Sequence, residues 1–263
     1  TTYNPRIVPF WESMRGLVLL QEGISMLVQV KDLHFSYQKG REVLKGLCFS
    51  LKAGKIHGFL GHNGAGKTTL FQLLAGGLRP QKGTIRFSRD ALKGREDMAL
   101  VPESGGFFES LTVWENLRFR YLLSGQPEKA MQGHIRQMEE IFGLEQEENH
   151  PAKHLSTGMK KRLALACALI SGPRVLLLDE PTNGIDPATY ALLQKLLKRL
   201  REIGVSILVS SHDLGFISKT ADDIVILQEG QILYQAPAED VSEEELESLY
   251  FSTIGGEVPD EEW

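Results

Sequence analysis

Two stretches of this chain carry residue types suited to handling phosphate. The first is GHNGAGKTT at 61–69. Gly61, Gly66, Lys67 and Thr68 satisfy the spacing of a phosphate-binding loop, and the stretch follows the apolar run KIHGFL and opens a candidate helix. Glycines let the backbone curl so that successive N–H groups face an anion. The N-terminus of the following helix adds partial positive charge. His62, Asn63, Gly64 and Ala65 form the body of that cradle. Lys67 is expected to reach the β- and γ-phosphates of a nucleoside triphosphate, Thr68 to ligate Mg²⁺, and Thr69 to add an α-phosphate contact. The second stretch is RVLLLDEPT at 174–182, an apolar strand ending in two acids. Asp179 falls at the strand's carboxyl end, where open α/β sheets bind ligands. It is the expected Mg²⁺ partner, through water. Glu180 follows as the candidate general base for an attacking water.

Such groups need a sheet to carry them. From Met26 the pattern reads as strands: LVQVKDLHFSY, then GLCFSL, then KIHGFLG. A helix is expected over about 67–76, and strands at 84–87 (TIRF) and 98–102 (MALVP). Between about 112 and 154 apolar residues recur at three- and four-residue spacing, in VWENLRFRYLL and EKAMQGHIRQMEEIFGL, which predicts helices. Strands and helices then alternate: RVLLLDE, a helix over about 187–203, VSILVSS, and IVIL. That alternation predicts a parallel sheet covered on its faces, with the middle segment inserted as helices. Ser242 and Glu245 form a capping box for a short helix carrying Leu246, Leu249 and Tyr250.

Composition narrows the setting. Of 263 residues, 42% are hydrophobic and 24% charged, which fits a globular chain able to bury a full core. A net charge of −5 supplies no field for nucleic acid. Two cysteines, Cys48 and Cys167, are too few for a disulfide scaffold or a zinc site, and both are expected in the core. No run reaches the ~18–20 apolar residues that span a bilayer. GLVLL at 16–20 is too short for a signal peptide. A membrane role would therefore require docking onto another chain.

With both phosphate stretches in place, three further segments resemble motifs of the ABC ATP-binding cassette: LSTGMKKRL at 155–163, NGID at 183–186 and SSHDL at 210–214. The resemblance covers about 26–235, in the family's order and spacing. It implies an α/β fold, a P-loop NTPase of the ABC type with a parallel-sheet core, an antiparallel β subdomain and a helical insertion at about 112–170. The cassette would occupy 26–240, after an extension at 1–25 and before an acidic C-terminal helix and tail at 241–263. It further implies ATP and Mg²⁺ as cofactors and adenine stacking on Tyr37, with Phe35 as the competing choice. His212 would hydrogen-bond the γ-phosphate and help catalysis beside Glu180. Leu155, Ser156, Thr157 and Gly158 would meet the ATP held by an opposite protomer, and Asp186 would shape that protomer's site. Neither protomer is complete in this family, so a second cassette is implied, either a copy or a related chain.

Two positions depart from the family's commonest form. The signature usually reads LSGGQ, and here Thr157 and Met159 replace a glycine and the glutamine. In VPES at 101–104, Glu103 stands where glutamine usually senses Mg²⁺ and the γ-phosphate. Both features resemble the ABC-2-type exporter branch. Phe107, Phe108 and Trp114 follow, either as an apolar groove for a membrane subunit's helix or as core of the insertion. The resemblance thus implies an ATPase subunit at the cytoplasmic face, powering a separate transmembrane permease and binding no nucleic acid. The alternative is an ABC ATPase without a membrane partner, such as an iron–sulfur cluster assembly component. Repair-type members would need a coiled-coil insertion and translation-factor types two cassettes, and this chain carries neither. The intact Lys67, Asp179, Glu180 and His212 argue against a non-hydrolysing regulator.

Overall fold

A computed structural model describes residues 26–254 of the chain. The expectations for residues 1–25 and for the tail beyond 254 lie outside the described residues. A long hairpin opens the fold, β1 (Met26–Gln38) and β2 (Arg41–Lys52), joined on its other side by β4 (Lys82–Phe87) in a three-stranded antiparallel sheet of order β2-β1-β4. The second sheet has six strands in the order β5-β6-β7-β3-β8-β9. These are β3 (Ile56–Leu60), β5 (Met98–Val101), β6 (Val175–Asp179), β7 (Ser206–Ser211), β8 (Asp223–Gln228) and β9 (Gln231–Pro237). All neighbours are parallel except β8 and β9.

The central strands are buried on both faces, which explains their unbroken apolar runs. Along β6, Val175 and Leu177 enter one core while Leu176 and Leu178 enter the other. The first core lies beneath the antiparallel sheet and α1 (Lys67–Ala75) and gathers Phe49, Phe59, Leu70 and Phe71. The second lies beneath α2 (Val113–Leu123), α3 (Met131–Phe142), α4 (Thr157–Leu169), α5 (Pro187–Glu202), α6 (Leu214–Thr220) and α7 (Glu243–Ile254).

Helix boundaries follow local chemistry. Thr112 and Glu115 form a reciprocal capping box at the start of α2, and Gly143 in the left-handed region ends α3. Asp186 caps α5, accepting from Ala188 N–H and Thr189 N–H at 3.0 Å each. The box expected at Ser242 is present: Glu245 N–H donates to Ser242 Oγ at 3.1 Å and Ser242 N–H to Glu245 Oε2 at 2.9 Å. Leu246 and Tyr250 of α7 are buried.

One expectation fails. Cys48 is exposed, whereas Cys167 is buried. Alternation along β2 buries Leu47 and Phe49 and turns the residue between them outward. Its sulfur accepts the Asp32 N–H at 3.2 Å.

Candidate functional site: a phosphate loop facing a buried glutamate

Three adjacent strands deliver the site. Leu60 of β3 pairs with Ser211 of β7, and Ser210 of β7 pairs with Asp179 of β6. The phosphate loop, the two acids and His212 therefore leave the sheet side by side at its carboxyl edge. This sheet crevice is the general ligand position of α/β folds.

The loop's glycines meet steric demands. A Cβ on Gly61 would stand 2.4 Å from the Leu227 carbonyl oxygen. Gly66, at φ 108°, precedes α1, and a Cβ there would sit 2.7 Å from Leu44 Cδ2. Lys67 is 5% exposed. Its ammonium donates to the Gly61 carbonyl, lies 3.3 Å from the His62 carbonyl, and is 2.8 Å from Glu180 Oε1. The last contact is an ion pair in distance but is not aligned as a hydrogen bond.

Glu180 is 4% exposed and adopts φ 47°, the left-handed region that non-glycine residues rarely take. Such a conformation costs about 1–3 kcal/mol and persists only where the surroundings impose it. Here the Glu180 N–H donates to Ser210 Oγ at 3.0 Å, and that hydroxyl donates to Asp179 Oδ1 at 2.7 Å. One fully buried serine thus fixes both acids. Glu180 Oε2 lies 3.0 Å from Nδ1 of the half-exposed His212. Oε1 and Oε2 are thereby shared between the phosphate-loop lysine and the histidine beyond β7.

A cleft of ≈ 700 Å³ opens over the loop, within the range of small-ligand sites. Tyr37, His62, Asn63, Gly64, Gly66, Lys67, Thr68, Thr69, Glu103 and Glu180 line it. Ala65 is buried behind it, its carbonyl accepting from Gly230 N–H at 3.0 Å. Tyr37 is 59% exposed, whereas Phe35 is 7% exposed and packs edge-on against the Tyr37 ring. Of the two aromatics only Tyr37 can offer a face to a base. Its hydroxyl lies 3.2 Å from Thr69 Oγ1.

The residues fit a nucleoside triphosphate with a hard cation. The cradle supplies N–H groups and an ammonium, and Thr68, Asp179 and Glu103 offer only oxygen donors, as Mg²⁺ requires. Among the described residues no group of three His, Cys, Asp or Glu could hold a metal by itself. A bound Mg²⁺ would therefore draw further ligands from phosphate and water.

The signature segment lies elsewhere. Leu155 is buried in the second core, while Ser156 and Thr157 are exposed. Ser156 caps α4, accepting from Met159 N–H at 3.3 Å. A Cβ on Gly158 would stand 3.0 Å from Asp186 Oδ2, so the signature and the 183–186 loop touch within one chain. Neither Leu155–Gly158 nor Asp186 lines the cleft over the phosphate loop. Three residues to which the sequence reading gave no part also emerge: Ser210, Lys161 and Asn183. Their quoted motifs held them, but only contacts in space assign them work.

A phosphate loop, an acid-tipped strand one place further along the sheet and an antiparallel flap beside a six-stranded sheet define a nucleotide-hydrolysing cassette. The family described as ABC transporter matches residues 44–183, more than half the chain. The energy-coupling factor transporter ATP-binding protein EcfA of Methanocaldococcus jannaschii is 37% identical over 226 residues, covering 82% of this chain and 80% of that protein. The bacitracin transport ATP-binding protein BcrA of Bacillus licheniformis is 34% identical, covering 87% and 75%. Among solved structures, cbiO1 of Clostridium perfringens, part of the ABC transporter complex cbiONQ, superposes with a TM-score of 0.72 at 31% identity, covering 88% of this chain and 98% of that one. The chain belongs to the ABC transporter family, as an ATP-binding subunit that hydrolyses ATP.

Proposed function

We propose that two copies of this chain close around two Mg–ATP and drive a separate transmembrane exporter. The observation that carries this reading is the separation of two half-sites on one chain. The phosphate loop and Glu180 line a cleft that the signature does not enter, while Ser156 and Thr157 stand exposed at the start of α4. A second copy presenting its signature to the cleft completes both sites at once.

In the closed state the loop N–H groups and Lys67 hold the β- and γ-phosphates, and Tyr37 stacks on adenine. Thr68, Asp179 and Glu103 would hold Mg²⁺, which when bound neutralises charge on the phosphate oxygens. Glu180 takes the proton of the attacking water as the bond to the γ-phosphorus forms. The β–γ anhydride bond breaks, leaving ADP and inorganic phosphate. His212, already 3.0 Å from Glu180, steadies the γ-phosphate and the base. Most of the rate gain is positioning and charge stabilisation.

A path to a membrane subunit runs through the segment after Glu103. Phe108 and Phe119 are exposed and stack edge-on at 5.1 Å, with Leu122 and Leu123 exposed on the same helix. Phe107 and Trp114 pack partly into the core beneath. No helix among the described residues is long and apolar enough to cross a membrane; in this reading the spanning part belongs to a partner, with this chain at the membrane's cytoplasmic face. Export is favoured by Thr157, Met159 and Glu103. A second reading, an energy-coupling-factor type, is favoured by relatives such as the M. jannaschii protein.

The test is to isolate the tagged chain from detergent-solubilised membranes of its native cell. A polytopic partner of exporter topology supports the proposal. Recovery with soluble partners alone overturns it in favour of an assembly-factor ATPase, and an energy-coupling-factor membrane component overturns the exporter assignment.

A further inference from the structure

Lys161 lies one turn into α4, the helix that opens with the signature. It is partly buried, and its ammonium reaches two loops of the chain's own phosphate site. Nζ donates to the Glu103 carbonyl and to the Glu180 carbonyl, at 3.4 Å each. The same two loops are tied again from the side: Asn183 Nδ2 donates to Glu103 Oε1 at 2.8 Å, and Asn183 N–H donates to the Glu180 carbonyl at 3.3 Å. Three segments with separate tasks thus meet at one cation: the loop after β5, the loop after β6, and the first turn of α4.

The charge count explains why a cation stands there. Glu103 and Glu180 line a cleft that must accept a polyphosphate, with Asp179 buried next to Glu180. Arg41 and Lys45 stand on the cleft's other wall, and Lys67 of the phosphate loop is paired with Glu180. Burial lowers the pKa of the Lys161 ammonium, while the charges of Glu103, Asp179 and Glu180 act against that. Glu103 is the extra acid, since the family's usual residue at that position is the neutral glutamine. Glu103 is exposed but lines the cleft, and its carboxylate without compensation would repel an incoming triphosphate.

We propose that Lys161 is a positioning residue that offsets the charge of Glu103 and latches the signature helix to the chain's own hydrolytic loops. Lys161 touches no reacting atom. It acts through the two carbonyls and through the local field. Through α4 it also gives the half-site meant for the partner's ATP a mechanical link to the nucleotide held in the same chain. The inference rests on the nucleotide-site reading above.

The test is a double-mutant cycle on the full chain, reading affinity for a fluorescent ATP analogue in EDTA, where neither Mg²⁺ nor turnover contributes. Lys161→Gln is expected to weaken binding severalfold and Lys161→Arg to preserve it. In the Glu103→Gln background, Lys161→Gln is expected to cost less than twofold, because the charge it offset is gone. Equal losses in both backgrounds, or no loss in either, overturn the proposal that Lys161 offsets Glu103, while leaving the nucleotide site standing. Absence of binding by the unaltered chain overturns both. A Lys161→Gln protein that melts far below the parent and is not rescued by Glu103→Gln assigns Lys161 to folding alone and likewise overturns the proposal.

Discussion

Removing the Ser210 hydroxyl isolates the part of the site that the sheet itself enforces. Ser210 is fully buried, donates to Asp179 Oδ1 at 2.7 Å and accepts from Glu180 N–H at 3.0 Å. In Ser210→Ala the first loss is a hydrogen bond to a carboxylate, worth about 1.5–3 kcal/mol, and the second leaves a buried N–H unpaired at about 1–3 kcal/mol. The methyl that replaces the hydroxymethyl adds little cavity, and relaxation of the strained Glu180 backbone returns part of the loss. A net destabilisation of about 2–4 kcal/mol follows, which for a chain of this size lowers Tm by about 5–15 °C. Calorimetry of the nucleotide-free chain reads it, with Ser211→Ala as control, since that hydroxyl also receives one backbone N–H, from Asp213 at 3.0 Å, but supports no carboxylate. Steady-state ATPase on the same proteins should fall further for Ser210→Ala than for the control. A Tm within about 2 °C of the parent, with unchanged turnover, would refute the claim that one serine fixes both acids.

Other consequences follow from single residues. Glu139 on α3 is 2% exposed with Oε1 unpartnered, and burial, then the charges of Glu148 and Glu145, push its pKa up to about 7. A carboxyl whose folded pKa exceeds its unfolded value makes stability fall as pH rises between the two. Glu139→Gln should therefore raise Tm at pH 8 and change it little at pH 4.5. Tyr37→Ala should weaken ATP binding by roughly five- to thirtyfold, the loss of about 1–2 kcal/mol of stacking on a base, while Tyr37→Phe should keep most of it; titration with a fluorescent analogue decides. Cys48 should react with a thiol reagent in the native protein, whereas Cys167, buried and with its pKa pushed up to about 12, should react only after unfolding.

The sequence made the chemistry legible because phosphate binding demands fixed residue types at fixed offsets. Gly61, Lys67, Thr68, Asp179 and Glu180 line up at one sheet edge, as the strand–loop–helix order implies. The buried strands β3, β6 and β7 were equally plain, since parallel strands covered on both faces must be apolar throughout. Elements with weaker local signals are not legible in the sequence. The edge strand β9 alternates exposed and half-buried residues, and α6 spans only seven residues. Cys48 faces outward despite its apolar neighbours, because the two-residue period of a strand turns every second residue away from the core. Ser210 and Lys161 belong to recognised motifs, but their partners lie at least 30 and 19 residues away. No spacing rule reaches that far.

ATP held between one chain's phosphate loop and another's signature must bring two chains together. The direct measurement is the mass in solution of Glu180→Gln, which should bind ATP without hydrolysing it. With Mg–ATP the account predicts a shift from monomer to dimer, lost when Ser156→Arg is added and absent with ADP. A Glu180→Gln chain that binds ATP yet stays monomeric would contradict a sandwich formed by two copies of this chain.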